Sequence, residues 1–187
     1  MGPGFRGEAW VPSKHAAVSD EPLTPTDIVD ASAADLDDAM VLDVRAHRAR
    51  DARYHLPPNA LESVRERLHA RGTIFLTAKA GGTTVGTAIA SVAREYDGLG
   101  PRMEDVANVS FVAVDPAFWG RGIGRRLMEE IESRIRAAGF SRAQLWARED
   151  DARSFTLYEH LGYRKTGESK LDHCNGDTIV RMAKDLL

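Results

Sequence analysis

The strongest constraint on this chain lies between Val109 and Met128, in the segment VSFVAVDPAFWGRGIGRRLM. Val109, Phe111, Val112 and Val114 form a run rich in β-branched and aromatic residues, as a buried strand requires. Asp115-Pro116 ends it, because proline brings no N–H to a ladder. Gly120, Gly122 and Gly124 then alternate with Arg121 and Ile123, and Leu127, Ile131 and Ile135 recur four residues apart, on one helix face. The first N–H groups of a helix lack internal partners and sit at the positive end of its dipole. Next to glycines that let the backbone come close to a ligand, they make a seat for a phosphate or pyrophosphate. Arg121, Arg125 and Arg126 add positive charge. A loop that merely turns the chain could use the same glycines, so their spacing has to decide.

A dinucleotide fingerprint needs G-x-G-x-x-G, but the third glycine position is arginine counted from Gly120 and leucine counted from Gly122. A nucleotide P-loop ends in G-K-S/T, whereas Gly124 is followed by Arg125-Arg126. What remains closely resembles motif A of the GNAT superfamily of acetyl-CoA-dependent N-acetyltransferases, Q/R-x-x-G-x-G/A after a central strand. The matching residues are Trp119 to Gly124, with Trp119 where the family has Gln or Arg. Residues 150–163, DDARSFTLYEHLGY, are similar to the family's motif B. Asp151 stands at its Asn position and Ser154 at its Ala position, followed by Leu157, Tyr158, Gly162 and Tyr163. The resemblance covers residues 72–185 well, and the first seventy residues only in layout.

The resemblance implies a single-domain α/β fold. Its central sheet is mixed, mostly antiparallel, of six or seven strands, flanked by four or so helices. That sheet splays between the central strand and the next, and the pantetheine arm of the cofactor enters the gap. The resemblance also implies the activity: transfer of the acetyl group of acetyl-CoA directly to a primary amine of a small molecule, such as an amino acid, a polyamine or an amine-bearing antibiotic. A protein N-terminus or lysine is the alternative acceptor, and a non-catalytic acyl-CoA-binding module is the alternative class. Backbone groups of Val112 and Val114 would hold the pantetheine arm. Backbone N–H groups of Trp119, Gly120, Arg121, Gly122, Ile123, Gly124 and Arg125 would hold the pyrophosphate, with further contacts from Asp151 and Ser154. Tyr158 matches the family's general acid; a phenol with a pKa near ~10 is protonated at neutral pH and can donate to a leaving thiolate. Where some members place a base, this chain has Asn108 and Ser110, which could hold a relaying water. Glu104 is the leading carboxylate candidate for a base, ahead of Glu95, Asp105 and Glu149. By position alone, Tyr54, His55 and Leu56 would line the acceptor pocket.

The net charge of −3 speaks against nucleic acid as a partner and leaves room for a cationic amine. An acetyltransferase acting on charged tRNA would instead show a basic patch at its acceptor cleft. Cys174 is the only cysteine, which suits a reducing cytosol and a cytoplasmic location. No apolar run approaches the ~18 residues of a membrane span, and the N-terminus lacks a signal-peptide pattern. No pair of histidines stands in a His-x-x-x-His arrangement, and His173 and Cys174 read as turn residues, so no metal is expected.

In chain order, residues 1–22 read as a flexible leader and 23–187 as the N-acetyltransferase domain. Thr26 to Ala31 is a strand candidate. Ser32 caps a helix with Asp35 as capping-box partner, and Leu36, Met40, Val44 and His47 mark its face. The basic run Arg45, Arg48, Arg50 and Arg53 reads as a solvated face. Asn59 caps a second helix through Leu61, Val64 and Leu68 to Gly72. Strands follow at 73–79 and 83–93, with a bulge or close approach at Gly86. The central strand spans 105–114 and the glycine-loop helix 120–138. Next come a strand at 144–148, a helix at 151–161, and closing strands at 163–169 and 178–184 around Asn175-Gly176. An edge strand near the C-terminus leaves room for a homodimer.

Overall fold

In the computed structural model of the protein, which describes residues 26–186, seven strands and four α-helices alternate along the chain. The leader expected over residues 1–22 lies outside the described residues. The elements are β1 (Thr26–Asp30), α1 (Leu36–Arg48), α2 (Ala60–Leu68), β2 (Ile74–Ala80), β3 (Thr83–Arg94), β4 (Arg102–Val114), α3 (Ile123–Ala137), β5 (Arg142–Arg148), α4 (Ala152–His160), β6 (Arg164–Leu171) and β7 (Thr178–Asp185). The sheet order is β1-β2-β3-β4-β5-β7-β6. Every neighbouring pair is antiparallel except β4 and β5, which are parallel and joined through α3. This is the mixed, mostly antiparallel α/β sheet that the sequence implies.

Strand periodicity sorts the core into two layers. Successive side chains of β2 point to opposite faces, so Leu76 meets one layer and Phe75 the other. On the first face Leu127, Met128, Ile131 and Ile135 of α3 are fully buried against Leu76, Ala88, Ala107 and Leu145. Tyr158 of α4 joins the same cluster. On the second face Leu36 and Met40 of α1 and Val64 of α2 pack on Phe75 and Ile89. The chain enters α1 through a 3-10 turn at Ala33–Asp35, where the expected capping box between Ser32 and Asp35 is complete. Lys79 of β2 donates to Asp35 at 2.7 Å, and that bond, with those from Ser32, draws the Asp35 carboxyl down to about 2.

Local boundaries differ where turn geometry outweighs periodicity. The helix expected from Gly120 begins at Ile123, because Gly120 and Gly122 take φ values of +79° and +74°. The second helix stops at Leu68 rather than Gly72, Asn59 makes no side-chain cap bond, and Leu61 is exposed. The central strand starts at Arg102 instead of Asp105, since its ladder with β3 runs on to Arg94. At Gly86 both expected features coincide. The β2–β3 register shifts beside it, and a Cβ there would lie 2.8 Å from Leu127 Cδ1.

The site is positioned by how little β4 and β5 pair. Only Val106–Asn108 of β4 align with Arg142–Gln144 of β5. Beyond that point β5 stays with β7 as far as Arg148, while β4 stays with β3. β4 also bulges opposite Thr87–Ile89, where Phe111 takes φ +52°, a left-handed value that a bulky side chain adopts only under constraint. The two strands therefore part and leave a gap edged by Val109–Val112 and Leu145–Arg148.

Leu127→Ala should destabilise the fold by about 2–5 kcal/mol, as deletion of a buried leucine side chain does. Gly86→Ala should also destabilise, by about 1–3 kcal/mol, because its Cβ meets Leu127. The double variant should cost less than the sum, since the new methyl enters vacated space. Denaturant melts of the four proteins measure this; strict additivity would contradict the packing.

Candidate active site

The gap opens into a cavity of about 650 Å³. Its walls are Asn108–Val112 of β4, Leu145–Arg148 of β5, Ser154 and Tyr158 of α4, and Asp43, His47 and Arg50 from α1 and its end. A second cavity of about 760 Å³ lies on the α2 side and is bounded by Arg67, Arg94, Gln144 and Arg181. Asn108, Trp146 and Lys170 line both, so the two cavities share a wall near the point where the strands part.

Tyr158 is held by its helix. With Asp151 as N-cap accepting from the Ser154 amide, α4 turns Tyr158 toward β5, where only 8% of the residue is exposed. Its ring meets that of Tyr163 edge-on, with centroids 6.1 Å apart. Burial, with Asp151 nearby, pushes the phenol up to about 12, so it is protonated at neutral pH. A donor in that state in the cavity wall is the expected position for an acid.

The glycine loop forms the second part. None of the amides of Gly120 to Arg125 is bonded to a turn carbonyl or a cap side chain among the described residues. A Cβ built on Gly122 would project into open space beside these amides. The left-handed backbone at Gly122 thus leaves an open, positively polarised start to a 15-residue helix. Arg121 lies over the Phe118 ring at 4.8 Å, and Arg125 pairs with Glu129 at 2.7 Å. Arg126 turns away and donates to the Thr26 carbonyl.

Trp119, the departure from the family pattern, has a defined place. Its indole Nε1 donates to the Val114 carbonyl at 2.7 Å. Its ring meets two guanidinium groups, Arg50 at 4.8 Å and Arg153 at 4.9 Å. Its own amide donates to Pro116, so it is less open to a ligand than the glycine amides. Val112 lines the gap; Val114 does not, and one lone pair of its carbonyl is already taken by the indole. Asp151 and Ser154 both line the gap, with Ser154 donating to Asp151 at 2.7 Å and Arg50 pairing with Asp151 at 3.2 Å.

Glu104, His55 and Leu56 fall outside both cavities. Glu104 is outside both cavities, with 73% of its side chain exposed and its carboxylate paired with Arg102. It stands in the irregular stretch between Met103 and Ala107, where the β3–β4 register shifts. His55 is exposed and lines neither cavity; its backbone amide donates to the Cys174 carbonyl at 3.1 Å and docks the β6–β7 turn. Leu56 packs into the core beneath α1 and α2. Tyr54 does line the gap, but its hydroxyl donates to buried Asp43 at 2.8 Å and its ring stacks on His47 at 4.4 Å. Burial raises the Asp43 carboxyl above its ordinary value.

Asp43, His47, Arg50 and Arg153 are wall residues that the sequence reading missed. Asp43 had a signal: it sits three residues from Met40 and seven from Leu36, on the apolar stripe of α1. The basic run read as solvated is mostly engaged. Arg48 donates to the Tyr54 carbonyl, Arg50 bridges to α4, and Arg53 pairs with Asp177. Cys174 and His173 are more than turn residues, since they line the first and second cavity respectively. Among the described residues no cluster of His, Cys, Asp and Glu could hold a metal ion.

Comparison with known proteins agrees with this geometry. Residues 40–163 match the model of the Acetyltransferase (GNAT) family. The ribosomal-protein-S18-alanine N-acetyltransferase of Escherichia coli is 20% identical, with a TM-score of 0.64 over 87% of this chain and 94% of that one. A putative acetyltransferase of Salmonella typhimurium, solved with its cofactor acetyl-CoA, is 22% identical, with a TM-score of 0.65 over 87% and 94%. The ribosomal-protein-alanine N-acetyltransferase of Brucella melitensis is 22% identical, with a TM-score of 0.65 over 84% and 98%. With both motifs framing one splayed sheet and the family match spanning residues 40–163, the chain belongs to the GNAT family of acetyltransferases.

Proposed function

We propose that the protein is an N-acetyltransferase that moves the acetyl group of acetyl-CoA to a primary amine of a small molecule. The observation that carries this is the joint placement of a protonated, buried Tyr158 in the gap wall and a seat of unpartnered amides at the start of α3. The residues present fit the cofactor. The cradle at Gly122 is open where a side chain would fill it, and its dipole favours an anion. Acetyl-CoA, when bound, supplies the acetyl thioester.

The chain's own residues divide the remaining work. The amides of Gly120 to Arg125 hold the pyrophosphate, and Arg121, Arg50 and Arg153 balance its charge. Val112 and the edge of β4 orient the arm along the gap. Tyr158 donates its proton to the departing sulfur. Asn108 and Ser110 line the gap from β4. The Ser110 hydroxyl is buried and has no partner among the described residues, so together they can hold a water that takes the amine proton. Glu104 has no part in this path, given its exposure outside both cavities. A protein N-terminus is the second reading, because two similar structures are ribosomal-protein-alanine N-acetyltransferases.

Free-CoA release across amino acids, other amines, antibiotics and N-terminal peptides tests the reading. Turnover with a small amine is the expected result; turnover with peptides alone would replace it by the second reading. Tyr158→Phe should lower kcat about 10²-fold or more, the scale of general-acid catalysis, with acetyl-CoA affinity nearly unchanged. An unaltered kcat would remove Tyr158 as the acid. Gly122→Val should weaken acetyl-CoA binding by at least about tenfold in calorimetry, a loss of about 1.4 kcal/mol. Retained affinity would rule out the glycine loop as the pyrophosphate seat.

A further inference from the structure

The second cavity carries a charge opposite to that of the chain. Against a net charge of −3, its lining includes Arg67, Arg71, Arg94, Arg102, Lys170 and Arg181, and the single carboxylate Glu66. Arg102 and Arg181 are balanced by Glu104 and Glu168 at 3.0 and 2.9 Å. Arg67, Arg71 and Arg94 pair with no carboxylate among the described residues. Of these, Arg67 is set deepest. It is half-buried on α2, its Nε donates to the Ser63 carbonyl at 3.2 Å, and its guanidinium carbon lies 5.8 Å from the centre of the Phe111 ring. Burial holds its pKa below the ordinary arginine value. Phe111 is the strained residue of the β4 bulge and also lines the first cavity. Arg67 therefore brings a poorly hydrated, uncompensated positive charge to the back of the gap.

Resting on the acetyltransfer reading above, we infer that the second cavity receives an acceptor whose amine is accompanied by an anionic group, a carboxylate or a phosphate, bound by the Arg67 guanidinium. A guanidinium withdrawn from water regains its lost solvation when a planar or tetrahedral anion takes its forked donors. The cavity's 760 Å³ is within the range of small-ligand sites. Asn108 and Trp146, in the walls of both cavities, place the anion site next to the gap. A polyamine would face like charges on three sides. Charged tRNA, the acceptor for which a basic patch was the expected sign, is less well matched. The basic side chains line a concave pocket between α2 and the sheet, and the deepest of them is not on an open ridge.

Matched acceptors test this with acetyl-CoA as donor and free CoA as the readout. One arm sets α-amino acids against their decarboxylated amines. The other sets phosphorylated amino alcohols against the parent alcohols. The anion-bearing member should be favoured in kcat/KM by about tenfold or more, and the arm with the larger preference tells carboxylate from phosphate. Arg67→Gln should raise KM for that member by about tenfold and narrow the difference within the pair, and Arg67→Lys should recover part of it. Acetyl-CoA affinity by calorimetry serves as the folding control for both variants. Preference for the uncharged or cationic member would overturn the inference while leaving small-amine acetylation intact. An Arg67→Gln effect on kcat equal for both members would overturn it too. Acetylation confined to aminoacyl-tRNA or peptides would overturn it together with the small-molecule reading. Acetyl-CoA binding without turnover of any amine would overturn the acetyltransfer reading itself.

Discussion

Everything specific about this molecule depends on the early parting of β4 and β5. Two parallel strands in mid-sheet normally bury their edges in each other. Here the alignment lasts three residue pairs and stops. The exposed backbone beyond it is a cost unless something takes its donors and acceptors. Both strands are kept apart by stronger commitments on their other sides, β4 to β3 and β5 to β7. The bulge at Phe111 adds local strain of the kind that persists only where surrounding structure enforces it. The gap is thus a feature of the whole sheet, and the catalytic and binding groups are arranged around it by the elements that flank it.

The mouth of the gap is braced by charge. Arg148, at the end of β5, pairs with Asp51 at 3.1 Å and Asp177 at 2.7 Å. Arg53 pairs with the same two carboxylates, and Asn175 donates to Asp51. These bonds join the α1–α2 link, β5 and the β6–β7 turn, three segments far apart in sequence. The neighbouring guanidinium groups hold the Asp51 carboxyl well below its usual range. Pairs this exposed contribute little singly, but a connected set fixes relative position. The Arg50–Asp151 contact does the same on the α4 side.

How much of this could be read from the chain follows from where the information is stored. The glycine loop, α3 and the capping box at Ser32 are local patterns: a few adjacent residues specify them, and each forms where its pattern stands. The splay came only through family resemblance, since no residue within β4 announces that β5 will leave it. The basic second cavity was hidden. Its cations come from α2 and the link after it, the end of β3, the start of β4, β6 and β7, and the acidic total masked their convergence. The surroundings of Glu104 were hidden for a similar reason: nothing local announced the register shift that leaves it exposed and paired with Arg102. Trp119 shows a third limit. Its mismatch to the family motif was visible, but not that its ring would meet both Arg50 from the turn after α1 and Arg153 from α4.

That placement has an optical consequence. Two of the chain's three tryptophans occupy the two halves of the site. Trp119 meets guanidinium groups beside the phosphate seat, while Trp146 lies under Lys170 and Arg181 in the wall that the cavities share. Cations on an indole face alter its emission, and any anion that draws those cations away alters it again. The protein therefore carries a built-in fluorophore beside each cavity, and if the proposed donor and acceptor sites fill in turn, two separate emission changes should report it.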